Sequence, residues 1–181
     1  MAVREAARGA ARLVVRTPGR AYLAGMTAYD APRPAARMMR TFAQARGLVL
    51  AVRDDMLAVY WHTRDTCELA SELLAVRLAA SGYRLAVVCG QYDAGEGGQE
   101  HCWVTADGLI LDSTCDQYGA DPGRAPDRSR YRPAVTRPAP DLDRAARLLH
   151  SFAAGGSDGL MRASGRLAAA YGLAWPHRSS V

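Results

Sequence analysis

A cysteine at the start of a predicted helix is the residue of this sequence best placed for covalent chemistry. Cys67 follows Asp65 and Thr66, which are good helix-capping residues, and apolar residues recur at helical spacing from there to about residue 80. Unpaired N–H groups and the helix dipole at this position favour an anion, so they would stabilise a thiolate nucleophile and could also hold an oxyanion. Position alone equally allows Cys67 to be a small buried hydrophobic residue.

A predicted hairpin fixes the relative position of two further reactive side chains. Asp107-Gly108 is a strong two-residue turn, and it joins predicted strands over 100–105 and 109–112. A turn of two residues sets the register of the two strands, because the residues on either side of it face each other and so do all the pairs behind them. Directly opposed residues point to the same face of the sheet, as do residues two apart on one strand.

This register predicts a histidine–carboxylate pair. Trp103 faces Asp112, so His101, Trp103 and Asp112 share one face, and Asp112 is the diagonal neighbour of His101. Diagonal neighbours lie roughly 7–8 Å apart at the backbone, within reach of a carboxylate–imidazole hydrogen bond. Such a bond would fix the tautomer of His101 and stabilise its charged form. The sequence therefore predicts a site built from Cys67, His101 and Asp112.

The same register argues against a metal centre. Cys102 points to the face opposite His101, so the adjacent pair cannot hold one ion from a regular strand. The sequence has no Cys-x-x-Cys and no His-x-x-x-His spacing. We expect no metal and no cofactor.

Two absent residue types narrow the chemistry further. All 23 basic residues of the 181-residue chain are arginine, and the chain has no asparagine. Without lysine there is no Schiff-base catalysis and no lysine that grips a nucleotide phosphate. Without asparagine, a triad with cysteine and histidine must end in a carboxylate. A biased genomic base composition explains both absences, and the chemical consequences hold in either case.

The three motifs together resemble the transglutaminase-like branch of the papain-like cysteine peptidases. They are Thr66-Cys67-Glu68, His101-Cys102-Trp103-Val104 and Asp112-Ser113-Thr114. The resemblance covers about fifty residues, and it implies a papain-like or transglutaminase-like core. It also implies a nucleophilic cysteine, a histidine that acts as base and acid, and an aspartate that orients the histidine. Carried over to this sequence, these roles fall to Cys67, His101 and Asp112.

The resemblance implies acyl transfer or hydrolysis at an amide or thioester. The small size of the chain and its expected cytoplasmic location favour a role in a specialised peptide or small-molecule biosynthetic pathway. Two alternatives remain open. Glu68 stands where the family often has glycine or an aromatic residue, and its charge would oppose a thiolate at Cys67, which favours a non-catalytic binding module on the same fold. The order of the three residues is also similar to that of arylamine N-acetyltransferases, although those enzymes are longer.

Three further side chains are candidates for supporting roles. Trp103 would shield the His101–Asp112 bond from water or simply pack in the core. Gln91, near a glycine-rich loop, is a candidate oxyanion donor. Gln117 follows the aspartate strand and would bond the triad carboxylate or the substrate, or lie in an exposed turn.

The elements that must position these residues predict an α+β fold. A helix over 67–80 feeds an antiparallel sheet with strands over 85–91, 100–105 and 109–112, and more helices flank it. We expect one domain over 1–181. Its parts are a helical N-terminal segment 1–46, with helices over 4–16 and 35–45, a short strand over 48–52, a helix or turn over 54–61, a catalytic core at about 60–120, an irregular, Arg- and Pro-rich loop or lid over 120–140, and C-terminal helices to 175.

Composition and charge indicate the localisation of the protein and its classes of partner. The net charge of +5 is small and spread out, and no nucleic-acid motif accompanies it, so we expect no nucleic-acid partner. No stretch approaches the roughly 20 apolar residues of a membrane span, and no signal peptide is evident, so we expect a cytoplasmic protein with no membrane partner. The four cysteines then predict reduced thiols. The expected partner is a peptide, amide or acyl-thioester substrate.

Overall fold

Helices flank one small antiparallel sheet in this chain. The computed structural model describes residues 36–95 and 97–175. Within them lie α1 (Arg46–Tyr60), α2 (Cys67–Ala80), β1 (Leu85–Asp93), β2 (Gly98–Ala106), β3 (Leu109–Leu111), β4 (Tyr131–Ala139), α3 (Leu142–Ala154) and α4 (Asp158–Ala170). This confirms the predicted α+β class. The helix predicted over 4–16 lies outside the described residues.

The sheet has the strand order β3-β2-β1-β4, and all neighbouring strands are antiparallel. Val104 pairs with Leu111 in the β2–β3 hairpin, which confirms the predicted register. The turn residues Asp107 and Gly108 have φ angles of 48° and 81°. Positive φ at both central residues is typical of the tight hairpin turn that Asp-Gly favours.

Helix α2 is the centre of the main hydrophobic core. Leu69, Leu73, Leu74 and Leu78 are fully buried, so apolar side chains cover more than one face of this helix. It packs against α1, α3, β1 and β2. Burying one leucine side chain contributes about 1.5–3 kcal/mol, so these four alone hold α2 firmly. The first turn of α2, which carries Cys67, is thereby fixed relative to the sheet.

The two faces of the sheet differ in chemistry. The face towards the main core carries aliphatic residues such as Val87 and Val104. The other face carries a second cluster made of Val88, Tyr92, Trp103 and Tyr131. His101 alternates with Cys102 and shares a face with Trp103, so it belongs to the aromatic side.

The sequence patterns predict the start of the first helix, α1, incorrectly. They predict a helix over 35–45, a strand over 48–52 and a helix or turn over 54–61, whereas α1 spans Arg46–Tyr60 and includes the predicted strand. Val49, Val52 and Met56 are all fully buried, and their spacing of three and four residues places them on one helical face. A short apolar run does not distinguish a strand from part of a buried helix, which explains the error.

The prediction of an irregular loop over 120–140 is also wrong in its second half. Residues Tyr131–Ala139 form β4, which pairs with β1 at the edge of the sheet. Pro133 and Pro138 lie within this strand and argue against it in the sequence, because proline donates no ladder hydrogen bond. An edge strand tolerates proline, and only the tertiary structure reveals that β4 is one.

A close backbone approach next to the predicted site requires glycine. The pairing of β1 with β4 shifts register between Cys89 and Gly90. A Cβ atom at Gly90 would lie 2.1 Å from the carbonyl oxygen of Arg132. Gly90 pairs with His101 across β1 and β2, so this bulge lies beside the histidine.

The helices are short. The longest of those described, α1, has 15 residues. No helix within 36–95 and 97–175 is long and apolar enough to cross a membrane.

Candidate active site

Cys67 is the first residue of α2, and its side chain is partly exposed. The N-cap residue Thr66 makes no capping hydrogen bond with its side chain. Its hydroxyl instead donates to the carbonyl oxygen of Thr63 at 2.7 Å. The N–H groups of the first helical turn have no partners within the helix, and the Thr66 hydroxyl does not occupy them. They are therefore left for another acceptor beside Cys67.

The predicted histidine–carboxylate pair is present. His101 Nε2 lies 2.6 Å from Asp112 Oδ2, and the two side chains are 0% and 1% exposed. Asp112 directly follows β3, which ends one residue before the end of the strand predicted over 109–112. A carboxylate in this buried position would be costly without partners.

Asp112 receives hydrogen bonds on both of its oxygens. Oδ1 accepts from the Thr114 backbone N–H at 2.9 Å and from the Thr114 hydroxyl at 3.2 Å. Oδ2 accepts from the Tyr131 hydroxyl at 2.9 Å in addition to His101. These hydrogen bonds offset the energetic cost of burying the carboxylate and hold its plane in one orientation.

His101 is held in its charged form. Burial by itself would lower its pKa, but hydrogen bonds to Asp112 and to Cys67, together with the charges of these two groups, raise the pKa to about 9. Because Asp112 occupies Nε2, Nδ1 is the nitrogen that remains for the thiol. The imidazole thus joins the carboxylate on one side to Cys67 on the other.

Gln117 lies next to the same imidazole. It belongs to a 3-10 turn over Cys115–Tyr118, and its side-chain Nε2 is 3.3 Å from His101 Nδ1. The sequence predicts a contact with the triad carboxylate or a substrate, whereas the described contact is to the histidine. A protonated Nδ1 would donate to the amide oxygen of Gln117 after the amide turns over. In both orientations Gln117 lies on the Cys67 side of the imidazole.

Aromatic rings enclose His101. Trp103 stacks on the imidazole with centroids 6.2 Å apart, and Tyr92 and Tyr118 contact it edge-on at 5.7 and 5.1 Å. Tyr92 and Tyr118 also stack on each other at 4.5 Å. Burial, and then the charges of Cys67 and Asp112, raise the pKa of Tyr118 to about 12. Trp103 is only 1% exposed, so it both covers the histidine and packs in the aromatic cluster.

Sequence reasoning missed three tyrosines of this enclosure. Tyr92 follows Gly90 by two residues and therefore shares a face with the histidine, so extending the hairpin register to β1 would have found it. Tyr118 and Tyr131 come from segments without periodicity. No signal in the sequence points to them.

Gln91 does not belong to the site, contrary to the prediction. It is exposed and pairs with Glu100 in the β1–β2 ladder. Its neighbour Gly90 pairs with His101, so Gln91 points to the opposite face of the sheet. The proposed role of Gln91 as an oxyanion donor is therefore wrong for this arrangement.

The prediction of four reduced thiols is wrong as well, because Cys89 and Cys102 form a disulfide. They are direct partners across β1 and β2, and opposed side chains on one face lie close enough to bond. Cys67 and Cys115 are the free cysteines. Cys115 is buried, and this burial raises the pKa of its thiol. Cys67 is therefore the accessible free thiol of the described residues.

A metal ion does not fit the one group of potential ligands found in the described residues. Atoms of Glu68, Cys89 and Cys102 lie within 4.8 Å of one another. The two sulfurs are bonded to each other, so they offer no thiolate ligands. The Glu68 carboxylate already pairs with Arg137 and Arg144.

The irregular segment before β4 borders a separate cavity of about 290 Å³. Tyr92 and Tyr131 line it together with charged residues such as Arg124 and Asp127. The lining includes none of Cys67, His101 and Asp112. This cavity therefore gives no support to a lid over the thiol.

Comparison with known proteins provides no assignment for this arrangement. No family model, curated protein or solved structure matches the chain.

Proposed function

We propose that the protein is a cysteine-dependent acyltransferase or hydrolase that acts on an amide or a thioester. Cys67 is the nucleophile, His101 the general base and acid, and Asp112 the residue that orients His101. A papain-like or transglutaminase-like arrangement of the core is part of the proposal. The observation that supports it best is the buried imidazole, which lies 2.6 Å from Asp112 and whose pKa is raised by both Asp112 and Cys67.

The first step forms an acyl-enzyme. The Cys67 thiolate attacks the carbonyl carbon of the substrate, and the carbonyl oxygen becomes an oxyanion. The uncapped N–H groups of the first turn of α2 are positioned to stabilise that oxyanion. His101, charged at neutral pH, gives its Nδ1 proton to the leaving amine or thiol, and the carbon–nitrogen or carbon–sulfur bond breaks.

The second step releases the acyl group. Neutral His101 takes a proton from water or from an amine, which attacks the thioester carbonyl carbon. The bond to Cys67 Sγ breaks, and the cysteine leaves as a thiolate beside the recharged imidazole. Asp112 remains ionised and holds the ring throughout both steps. Water as the acceptor makes the protein a hydrolase, and an amine makes it an acyltransferase.

Trapping of the acyl-enzyme tests this proposal. The protein is incubated with a panel of acyl thioesters and activated esters, quenched in acid and mapped by peptide mass spectrometry. We expect the acyl mass on the peptide that contains Cys67, and we expect loss of this adduct in Cys67→Ser and a strong decrease in His101→Ala.

Cys115→Ala is the matched control, since it removes the other free thiol, which is buried, and should leave the adduct unchanged. Labelling by iodoacetamide measures the reactivity of the Cys67 thiol directly, so it extends the test to the case in which the panel does not contain the substrate. Alkylation of Cys67 at neutral pH no faster than that of a free thiol, with no change in His101→Ala, would overturn the catalytic assignment. That outcome favours the non-catalytic binding module.

A further inference from the structure

Glu68 directly follows the nucleophile in the chain, and a carboxylate in the first turn of α2 opposes a thiolate there. A nearby negative charge disfavours a second one, and the penalty grows where water is excluded. The side chain of Glu68 is 32% exposed, so solvent screens it only in part. A site that relies on the Cys67 thiolate needs a means to offset this carboxylate.

Two arginines bind Glu68 from different elements. Arg137 of β4 places Nη2 3.1 Å from Glu68 Oε1, and Nη2 of Arg144, in α3, contacts the same oxygen. The backbone N–H of Arg144 donates to Asp141 at the start of α3, which fixes this residue in the first turn. Burial would raise the pKa of Glu68, but the hydrogen bond to Arg144 and the charges of both arginines lower it.

A second glutamate, Glu72, belongs to the same cluster. Glu72 lies one turn after Glu68, is 2% exposed and has Oε1 3.4 Å from atoms of both arginines. Its Oε2 has no hydrogen-bond partner. Burial raises the pKa of Glu72, so this carboxyl gains a proton more readily than Glu68 does. The four side chains therefore sum to zero or to a positive charge.

We propose that Arg137 and Arg144 are positioning residues for the nucleophile: they hold the Glu68 carboxylate in an ion-pair cluster and thereby preserve the thiolate of Cys67. This inference rests on the proposed function. It explains how a glutamate can adjoin a cysteine nucleophile. It also gives α3 and the edge strand β4 a part in the chemistry, although neither contributes a member of the triad.

A purely structural role for the arginines predicts different behaviour. If they only tie α3 and β4 to α2, loss of Arg144 harms the site through a shift of α2, and removal of the Glu68 charge cannot repair it. If they act by charge, removal of the charges of both Glu68 and Arg144 restores the net charge of the cluster. The decisive comparison is therefore between a single and a double variant.

The test is the rate of Cys67 alkylation by iodoacetamide, measured by peptide mass spectrometry across the neutral pH range. We expect Arg144→Gln to slow alkylation at neutral pH roughly tenfold, because Glu68 keeps its charge and loses its nearest partner. Glu68→Gln/Arg144→Gln should return the rate to within about twofold of wild type, since the two neutral amides remove both charges. Arg144→Lys, which keeps the charge, should stay close to wild type.

An unchanged rate in Arg144→Gln, or an equally slow double variant, overturns this inference while leaving the proposed function intact. The proposed function fails separately if the wild-type thiol is unreactive and indifferent to His101→Ala. Thermal unfolding of each variant shows whether it folds. If Arg144→Gln does not fold, Glu68→Gln alone decides: a rate at or above wild type supports the inference, and a slower rate overturns it.

Discussion

Tyr131 gives Asp112 a hydrogen bond from a separate strand, β4. Its hydroxyl donates to Oδ2, the oxygen that also binds His101, and burial raises its pKa so that it remains a donor. We expect Tyr131→Phe to slow acylation of Cys67 by roughly ten- to a hundredfold, because a hydrogen bond to a charged group contributes about 1.5–3 kcal/mol. The measurement is the rate of adduct formation with a thioester substrate.

Tyr60→Phe is the matched control for this change. Its hydroxyl bonds Ser164 at 3.2 Å on α4, away from the triad, so the same substitution should affect stability alone. Equal acylation rates in Tyr131→Phe and wild type would show that His101 and the Thr114 contacts suffice to hold the carboxylate.

The charge of His101 predicts an alkaline limit to activity. The folded-state pKa of about 9 lies above the ordinary value of 6.5. The charged ring therefore contributes its full stability below about pH 6.5, and this contribution is lost as the pH rises through about 9. Acyl transfer should fall with a midpoint near pH 9, because the leaving group loses its proton donor.

Two readouts separate this limit from general unfolding. Alkylation of Cys67 needs the thiolate and no proton donor, so it should not fall over the same range. The free energy of unfolding of wild type should decrease relative to that of His101→Gln between about pH 6.5 and 9. A parallel fall of alkylation and acyl transfer would contradict the assignment of His101 as the acid.

At the scale of elements, Asp116 connects the three segments that meet around the thiol. Its Oδ1 accepts from the Thr63 hydroxyl before α2, and its Oδ2 accepts from Arg53 Nε of α1, both at 2.7 Å. Asp116 also belongs to the turn that carries Gln117. We expect Asp116→Asn to slow acylation of Cys67 roughly tenfold, since it weakens the charge-assisted pair with Arg53 and the hydrogen bond from Thr63 that together hold this turn beside α1 and the start of α2.

Asp121→Asn serves as the control, because Asp121 pairs with Arg124 on an exposed part of the same loop. It should leave both acylation and thermal stability near wild type. An unchanged acylation rate in Asp116→Asn would mean that the turn keeps its place through its backbone contacts.

The elements that the sequence predicted are those with local signals. The apolar spacing after Cys67 identifies α2, and Asp107-Gly108 fixes the hairpin that brings His101 to Asp112. The elements missed depend on distant partners. Only pairing with β1 makes β4 a strand, and only burial of one face against the core makes α1 a helix.

At the scale of the whole molecule, the sheet separates two tasks. Its aliphatic face packs on α2 and contributes to the main core, and its aromatic face encloses the histidine. The arginine–glutamate cluster connects α3 and β4 to α2 beside the nucleophile. Cys67 and His101 are thus held by different parts of the fold, and catalysis would depend on how rigidly these parts are joined.

The Cys89–Cys102 disulfide is one such connection, because it closes the β1–β2 hairpin one residue from His101. The two cysteines are 13 residues apart, and a loop of that length gives about 3 kcal/mol of stabilisation in the chain-entropy description. We expect Cys89→Ser/Cys102→Ser to lose about this much free energy of unfolding in urea titration. Acylation of Cys67 should change little in the folded variant, since the sulfurs lie on the face opposite His101.

A reductant distinguishes the disulfide from the substitutions themselves. Dithiothreitol should lower the thermal midpoint of wild type and leave that of the double variant unchanged. Thiol titration of the unfolded, unreduced protein should find two free thiols, Cys67 and Cys115, whereas four would show that the bond does not form. If the bond forms and reduction also stops acylation without unfolding the protein, the two faces of the sheet are coupled, and the hairpin transmits the state of its sulfurs to His101.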